Sequence, residues 1–495
     1  MTAMTRDHLQ FRHRGRVIRL TGFSPQTTVL DWLRLEQRLT GTKEGCAEGD
    51  CGACTVVIAR EHGGRLDYQP VNACIALLGQ LDGGELITVE DLAQAGELHP
   101  VQAAMASGHG SQCGFCTPGI VMSLFAHFHS DGRATDRGEI SDVLAGNLCR
   151  CTGYRSIIDA ASMACAGPRT DHFASNEAGT IAALQLLNDG ADVLVGDPSR
   201  FFAAPASEAA LASLYQDHPD ARILGGATDV GLWITKKLLT LDKIIHVGRA
   251  GLDQAVAGDN ALRIGAAVTL ADAAPLLGAI DPDLAEILRR FGSAQVRSLG
   301  TVGGSIANGS PIGDLAPLFI ALGGSVELRR GEHIRTLPLE DFFLGYGKQD
   351  RAPGEFVRAL VVPRLAPATC FRAFKISKRF DEDISCVLGA FRIGLADGRI
   401  TSARVAYGGM AATPKRAAAV ERALVGAALH DPATWRHASE QIALDFTPLS
   451  DLRASANYRL GVARNILIKA LAEIAGVSSG ITRVADRREN LDAAE

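Results

Sequence analysis

Positions 45–54 read GCAEGDCGAC, so Cys46, Cys51 and Cys54 share one short loop spaced by glycine, alanine and acidic residues. With Cys74 downstream, the pattern Cys46-x4-Cys51-x2-Cys54…Cys74 is the ligand spacing of plant-type 2Fe-2S centres. Such a centre carries negative charge on its sulfurs and is stabilised by backbone N–H groups aimed at them. Gly45, Gly49 and Gly52 can take positive φ and bring those groups close, which residues with side chains do only at a cost. Glu48 and Asp50 add no useful charge and are expected to point to solvent. The flanks predict a ferredoxin-like β-grasp, with a strand over 16–21, a short helix over 28–35 and a strand over 55–59, and Cys74 opens the apolar run CIALLGQL. Zinc is the alternative for these four thiols. Zinc modules, however, normally present two C-x2-C type pairs, whereas here three ligands crowd one loop and the fourth is distant.

A second quartet follows. Cys113-Gly-Phe-Cys116-Thr-Pro-Gly leads into IVMSLFAHFH, where Ile120, Val121, Leu124, Phe125 and Phe128 recur at helical spacing, and Pro118 sits in the first turn, where its missing N–H costs nothing. Cys149-Arg-Cys151-Thr-Gly-Tyr likewise precedes a helical stretch over 157–166. Two cysteine pairs at two helix starts can meet around an anionic cluster, with Arg150 adding positive charge. Taken alone, this pairing leaves zinc open.

Of the eleven cysteines, eight lie between 46 and 151. The N-terminus lacks the apolar core of a secretory signal and no apolar run reaches membrane-spanning length, so a cytoplasmic, reducing location is expected, with metal or cluster ligation preferred to disulfides. Cys165, Cys370 and Cys386 fall outside the spacing logic and are expected to be buried thiols. A net charge of -5 gives no reason to expect nucleic acid or an anionic membrane as partner. A length of 495 residues exceeds one hydrophobic core.

Beyond a polar stretch, GPRTDHFASNEAG, apolar runs alternate with helical patterns, which suggests an α/β domain. Two glycine-bearing segments stand out there. Leu224-Gly225-Gly226-Ala227-Thr228-Asp229-Val230 reads as a strand end, a tight turn and a helix start. The other is Thr301-Val302-Gly303-Gly304-Ser305-Ile306-Ala307-Asn308. Loops of this kind let several N–H groups approach a pyrophosphate, with Thr228, Thr301, Ser305 and Asn308 as further hydrogen-bonding groups. Neither is the G-x-G-x-x-G of a Rossmann site.

A plant-type loop followed by CGFCTPG…NLCRCTGY resembles the iron-sulfur module of the molybdenum hydroxylases, over about residues 8–167, and LGGATDV with GTVGGSIANGSPIGDLAP resembles their two FAD-contacting segments. The resemblance implies a multidomain α+β chain. Its parts would be a ferredoxin-like domain over 8–92, a helical-bundle 2Fe-2S domain over 93–167, a linker over 168–192, an α/β FAD-binding domain of the vanillyl-alcohol-oxidase/CO-dehydrogenase-flavoprotein type over 193–366, an α/β C-terminal subdomain over 367–478 and a tail over 479–495. It implies Cys46, Cys51, Cys54 and Cys74 on one cluster, and Cys113, Cys116, Cys149 and Cys151 on the other. For FAD it implies residues 224–230, Thr301, Gly303, Gly304, Ser305 and Asn308 at the pyrophosphate, Asp314 toward the ribose or adenine, Phe291 beside the flavin, and Lys375. Tyr346, Glu382 and Asp383 match positions near a nicotinamide site in NAD-using members. Family members continue into a molybdopterin domain that this sequence does not reach. The fused pair of modules therefore resembles the small chain of bacterial two-subunit xanthine dehydrogenases, paired with a large molybdopterin subunit as an α2β2 heterotetramer. The implied role is an electron relay from purine oxidation to NAD, with no general acid or nucleophile on this chain. Oxidation of an aldehyde or N-heterocycle by the partner is one alternative; a zinc-bound interaction scaffold is another.

Overall fold

Strand Thr55–His62 shows how the N-terminal part is organised. Its alternate residues serve two cores: Val56 and Ile58 face one containing Leu9, Phe11 and Trp32, while Val57 and Ala59 face one containing Phe125, Phe128 and Ile157. In this computed structural model, which describes residues 4–477, the first core belongs to a five-stranded sheet in the order Arg16–Leu20, Leu9–His13, Glu85–Ile87, Thr55–His62, Arg65–Asn72. Leu9–His13 pairs parallel with Glu85–Ile87 and antiparallel with Arg16–Leu20, the β-grasp arrangement. The Trp32 ring meets Phe11 edge-on at 5.4 Å. The second core is helical, built from Pro100–Ser107, Thr117–His129, Arg137–Leu144 and Arg155–Ala166. Helix Thr117–His129 is buried at every position from Gly119 to Phe128, not along one stripe.

The chain divides into two compact units, the first comprising Met1–Gly251 with Ser293–Gly300 and the second Leu252–Gly292 with Thr301–Glu495. This division cuts through the stretch expected as one FAD-binding domain. The first unit holds a further sheet, ordered Thr5–Arg6, Asp192–Asp197, Arg200–Ala204, Lys243–His246, Arg222–Leu224. Thr5–Arg6 precedes the β-grasp yet pairs with Asp192–Asp197, and Arg6 is held by Asp82 at 2.9 Å and Asp189 at 2.7 Å. Segment 168–192, expected as a linker, is largely helical. Asp171 caps His172–Ser175, and Glu177–Leu187 buries Thr180, Leu184 and Leu187. The apolar residues that anchor this second helix lie beyond the polar stretch that suggested a linker.

The second unit contains an antiparallel sheet ordered Ala255–Ala257, Ala261–Gly265, Phe356–Pro363, Ser325–Arg330, His333–Pro338. Its core is filled by the wholly buried helix Leu315–Leu322. A four-stranded sheet, Thr369–Ile376, Val387–Ala396, Arg399–Gly408 and Lys415–Arg416, packs with Ala456–Ile474. The expected tail over 479–495 lies outside the described residues.

Candidate redox-cofactor sites

The loop between Thr42 and Thr55 carries almost no regular structure, so its geometry comes from close contacts and left-handed residues. Gly49 and Gly52 have φ of 76° and 67° as expected, but the third left-handed position is Ala47 at 54°, not Gly45. Gly45 is required for another reason: a Cβ there would stand 2.7 Å from Cys51 Sγ. The N–H groups of Glu48 and Cys51 both point at Cys46 Sγ, at 3.4 Å each. Hydrogen bonds from the Cys51 and Cys74 thiols hold Cys46 far below the ordinary thiol range, while Cys51 and Cys74 are pushed above it by Cys46. Cys54 and Cys74, both buried, are in contact, and Cys54 Sγ reaches Asn72 Oδ1 at 3.8 Å. Four sulfurs thus converge, with N–H groups directed at one of them and glycines where a Cβ would intrude. This donor set fits an anionic 2Fe-2S core.

The second quartet also closes. Cys116 contacts Cys149, and Cys113 contacts Cys151. Cys116 is the N-cap of Thr117–His129, and burial pushes its thiol up to about 12. Burial opposes ionisation of Cys149 as well, but the Thr152 hydroxyl, 3.1 Å from its sulfur, the backbone N–H groups of Thr152 and Cys151 and the Cys116 thiol together outweigh this and lower it. Tyr154, with φ of 70°, is locked in place because its hydroxyl accepts the Cys149 N–H at 2.7 Å and donates to the Asn147 carbonyl at 3.1 Å. Cys113 and Cys151 are exposed, and Phe115 and Leu148 beside them are about half exposed. In the first quartet Cys54 and Cys74 are buried and Cys46 and Cys51 half-buried; the second opens further to the surface. All eleven cysteines are free thiols, and of the three outside the quartets Cys165 and Cys386 are buried but Cys370 is only half-buried.

The first glycine segment and the helix after it lie against the stretch that Cys74 opens. A Cβ on Gly231 would meet the Ile75 backbone oxygen and Cβ at 2.7 Å, and Gln80 Nε2 donates to the Gly225 carbonyl at 3.3 Å. Ala227 is left-handed at φ 61°, and Gly226 is packed so tightly that a Cβ would stand 1.7 Å from the Leu299 carbonyl oxygen. Asp229 accepts from Trp233 Nε1 at 2.9 Å. Sequence reasoning missed Lys236, which donates to the Cys46 carbonyl and lies 3.3 Å from Glu48. Glu48 is exposed, as expected, and is ion-paired there.

In the second unit Thr301 caps Val302–Asn308, its hydroxyl accepting the Gly304 N–H at 3.0 Å, and Gly303 packs where a Cβ would approach Ala266 to 2.4 Å. Gly304 and Asn308 are exposed and Ser305 is half-buried. Asp314, Lys375 and Phe291 come together in one cluster: Lys375 Nζ donates to Asp314 Oδ2 at 2.7 Å and to the Arg290 carbonyl at 3.1 Å, and lies 6.0 Å from the Phe291 ring centre. Ser385 donates to Asp314 Oδ1 at 2.6 Å. Tyr346 stands apart from this cluster, 76% exposed on a hairpin turn. Burial opposes ionisation of Asp383, but the Arg379 N–H at 2.8 Å, the Arg379 charge and the N–H groups of Lys378 and Ile384 together outweigh it and lower the group, so this carboxylate serves its own loop. Glu382 adjoins it with φ of 56°.

Four family descriptions match in series: a 2Fe-2S iron-sulfur cluster binding domain over 14–78, a [2Fe-2S] binding domain over 88–162, an FAD binding domain in molybdopterin dehydrogenase over 198–365, and a CO dehydrogenase flavoprotein C-terminal domain over 372–474. The chain belongs to the molybdenum hydroxylase family. Among its relatives, a xanthine dehydrogenase of Emericella nidulans is 32% identical over 499 residues, covering 89% of this chain and 36% of the relative. Xanthine dehydrogenase 1 of Arabidopsis thaliana is 32% identical, covering 81% and 34%, and a xanthine dehydrogenase/oxidase of Rattus norvegicus is 31% identical, covering 82% and 34%. The chain thus spans about a third of the length of these curated relatives. In them the matched modules are part of one longer polypeptide, which corrects the expectation of a bacterial small subunit: the shared feature is the fused order of modules. A crystal structure of Cu,Mo-CO dehydrogenase in a cyanide-inactivated form matches with a TM-score of 0.53 at 26% identity, covering 56% of this chain and 98% of that one. Quinoline 2-oxidoreductase from Pseudomonas putida 86 matches with a TM-score of 0.52 at 25% identity, covering 57% and 99%. This molybdenum hydroxylase chain has two 2Fe-2S domains and an FAD-binding domain. No helix among the described residues is long and apolar enough to cross a membrane.

Proposed function

We propose that the chain is a cytoplasmic electron relay. It receives electrons from a molybdopterin-bearing partner domain or subunit that oxidises hypoxanthine and xanthine, and delivers them to NAD. When bound, the two clusters supply one-electron carriers and FAD supplies a carrier that exchanges electrons both singly and in pairs. Cys113, Cys116, Cys149 and Cys151 hold the first carrier; their exposure suits them to the side that faces the partner. Cys46, Cys51, Cys54 and Cys74 hold the second, and burial of Cys54 and Cys74 shields one side of it from solvent. Residues 224–230 of the first unit are assigned to the FAD pyrophosphate, as are Thr301, Gly303, Gly304, Ser305 and Asn308 of the second, where the glycines leave room and Thr301, Ser305 and Asn308 carry polar side chains. Phe291, Asp314 and Lys375 form a fixed cluster toward the rest of that cofactor, and Tyr346, Glu382 and Asp383 are assigned to the nicotinamide.

The observation that carries this reading is the contact of the stretch that Cys74 opens with the glycine segment and the helix it starts, through Gln80 on Gly225 and Ile75 on Gly231. Such contacts bring a one-electron site against a nucleotide site, as a relay needs. The chain isolated with its partner should reduce NAD with xanthine; an α2β2 mass is expected if the partner is a separate chain. Reduction of dioxygen or a quinone but not NAD would overturn the acceptor. The quinoline 2-oxidoreductase likeness favours a second reading, in which the partner hydroxylates an N-heterocycle; turnover of quinoline but not xanthine would select it.

A further inference from the structure

Gln295 belongs to the short segment Ser293–Gly300 that joins the first unit, and its side chain is 1% exposed. Its Nε2 lies 3.1 Å from Thr55 Oγ1, 3.0 Å from Ser123 Oγ and 3.1 Å from Asn147 Oδ1. Each of these partners sits on a different cysteine-bearing segment: Thr55 directly follows Cys54, Ser123 is on the helix that Cys116 caps, and Asn147 lies two residues before Cys149.

The protons explain why an amide must stand there. Thr55 gives its hydroxyl proton to the Gly52 carbonyl at 2.7 Å, and Ser123 gives its own to Asn147 Oδ1 at 2.7 Å. Asn147 Nδ2 also donates to the Gly52 carbonyl, at 3.2 Å. Both hydroxyls have therefore spent their protons and offer only lone pairs, so the group between them must be a donor with two hydrogens. A carboxylate could not do this, and a flipped amide would face acceptors. Gln295 Oε1 is left buried without a partner, pressed against Gly146, where a Cβ would stand 2.3 Å from it. The backbone beside this amide already joins the loops directly, because the Leu148 N–H donates to the Cys51 carbonyl at 3.0 Å.

We propose that Gln295 is a positioning residue that fixes the separation and orientation of the two cysteine loops, and hence the electronic coupling between the centres they hold. An unpaired buried carbonyl is tolerated where the rest of the group fixes a geometry that function needs. The inference rests on the relay reading above.

The test uses the full chain, purified anaerobically with its clusters and flavin and reduced with dithionite. Electron paramagnetic resonance reads the magnetic splitting between the two reduced centres. Gln295→Met should keep wild-type iron, acid-labile sulfide and flavin yet lose the splitting, whereas Gln10→Met, which removes a different buried amide of the same unit, should keep it. Ser123→Ala, which deletes one acceptor with little change in volume, should weaken the splitting and decides the matter if Gln295→Met loses iron. Splitting unchanged in Ser123→Ala, or in a fully loaded Gln295→Met, overturns the proposal. A wild-type chain without two cluster signals sinks the relay reading itself, and the proposal with it.

Discussion

Among the described glycines Gly226 leaves a side chain least room: an added Cβ would stand 1.7 Å from a backbone oxygen, where nothing can yield without moving the chain. Gly226→Ala should therefore lose FAD while keeping both clusters, measured as flavin released against iron bound. Cys51→Ser should do the reverse, removing one of two paramagnetic signals and leaving flavin in place. Lys236 makes a finer test. Its ammonium group on the Cys46 carbonyl stabilises the more negative, reduced state of the first cysteine site, while Glu48 and solvent screen it. Lys236→Met should lower the midpoint potential of that centre by on the order of tens of millivolts in a redox titration, with the other centre unmoved. At this scale the cysteines were legible because ligand spacing is local. Lys236 and Gln295 were not, because each lies far along the chain from the loop it touches, and neither stands in a pattern that announces a partner.

At the scale of elements, Asp171 ties three helices of the first unit together. Its Oδ2 accepts from His99 at 2.7 Å and His129 at 2.8 Å, and its Oδ1 caps His172–Ser175 through the Ala174 N–H at 2.7 Å. Burial alone would raise this carboxyl, but the hydrogen bonds from His129 and His99 outweigh it and hold it well below the ordinary range. A carboxylate depressed on folding stabilises the native state above its unfolded value and loses that contribution as the pH falls, here from 3.8 downward. Thermal midpoints of the wild type should fall steeply below that pH. Asp171→Asn should start lower, by about 3 kcal/mol of stability, and show a flatter acid limb. An unchanged acid limb would show that other carboxyls dominate. Segment 168–192 was illegible as helix because its polar start reads as a break while the apolar residues that anchor Glu177–Leu187 lie beyond it, and the pairing of Asp171 with His99 and His129, 72 and 42 positions away, is not carried by sequence periodicity. The strand after the first cysteine loop, by contrast, was readable from its apolar run alone. Helix Thr117–His129 was found, but its burial on all sides depends on neighbours the sequence does not reveal.

Across the whole molecule, the order of modules was legible because each carries a compact motif, and the family matches follow that order from residue 14 to 474. The partition into two units was not, since it depends on the excursion of Ser293–Gly300 into the first unit, which places Gln295 among the cysteine segments. In the proposed relay eight thiols hold two diiron centres alongside one flavin. This is tested most directly by a reductive titration of the anaerobically purified chain, followed by visible absorption and paramagnetic resonance, with metal analysis of the same sample. The account predicts two distinguishable 2Fe-2S signals, acid-labile sulfide equal to iron, and bleaching of one flavin per chain. Zinc in place of iron, with no visible absorption to bleach, would contradict it.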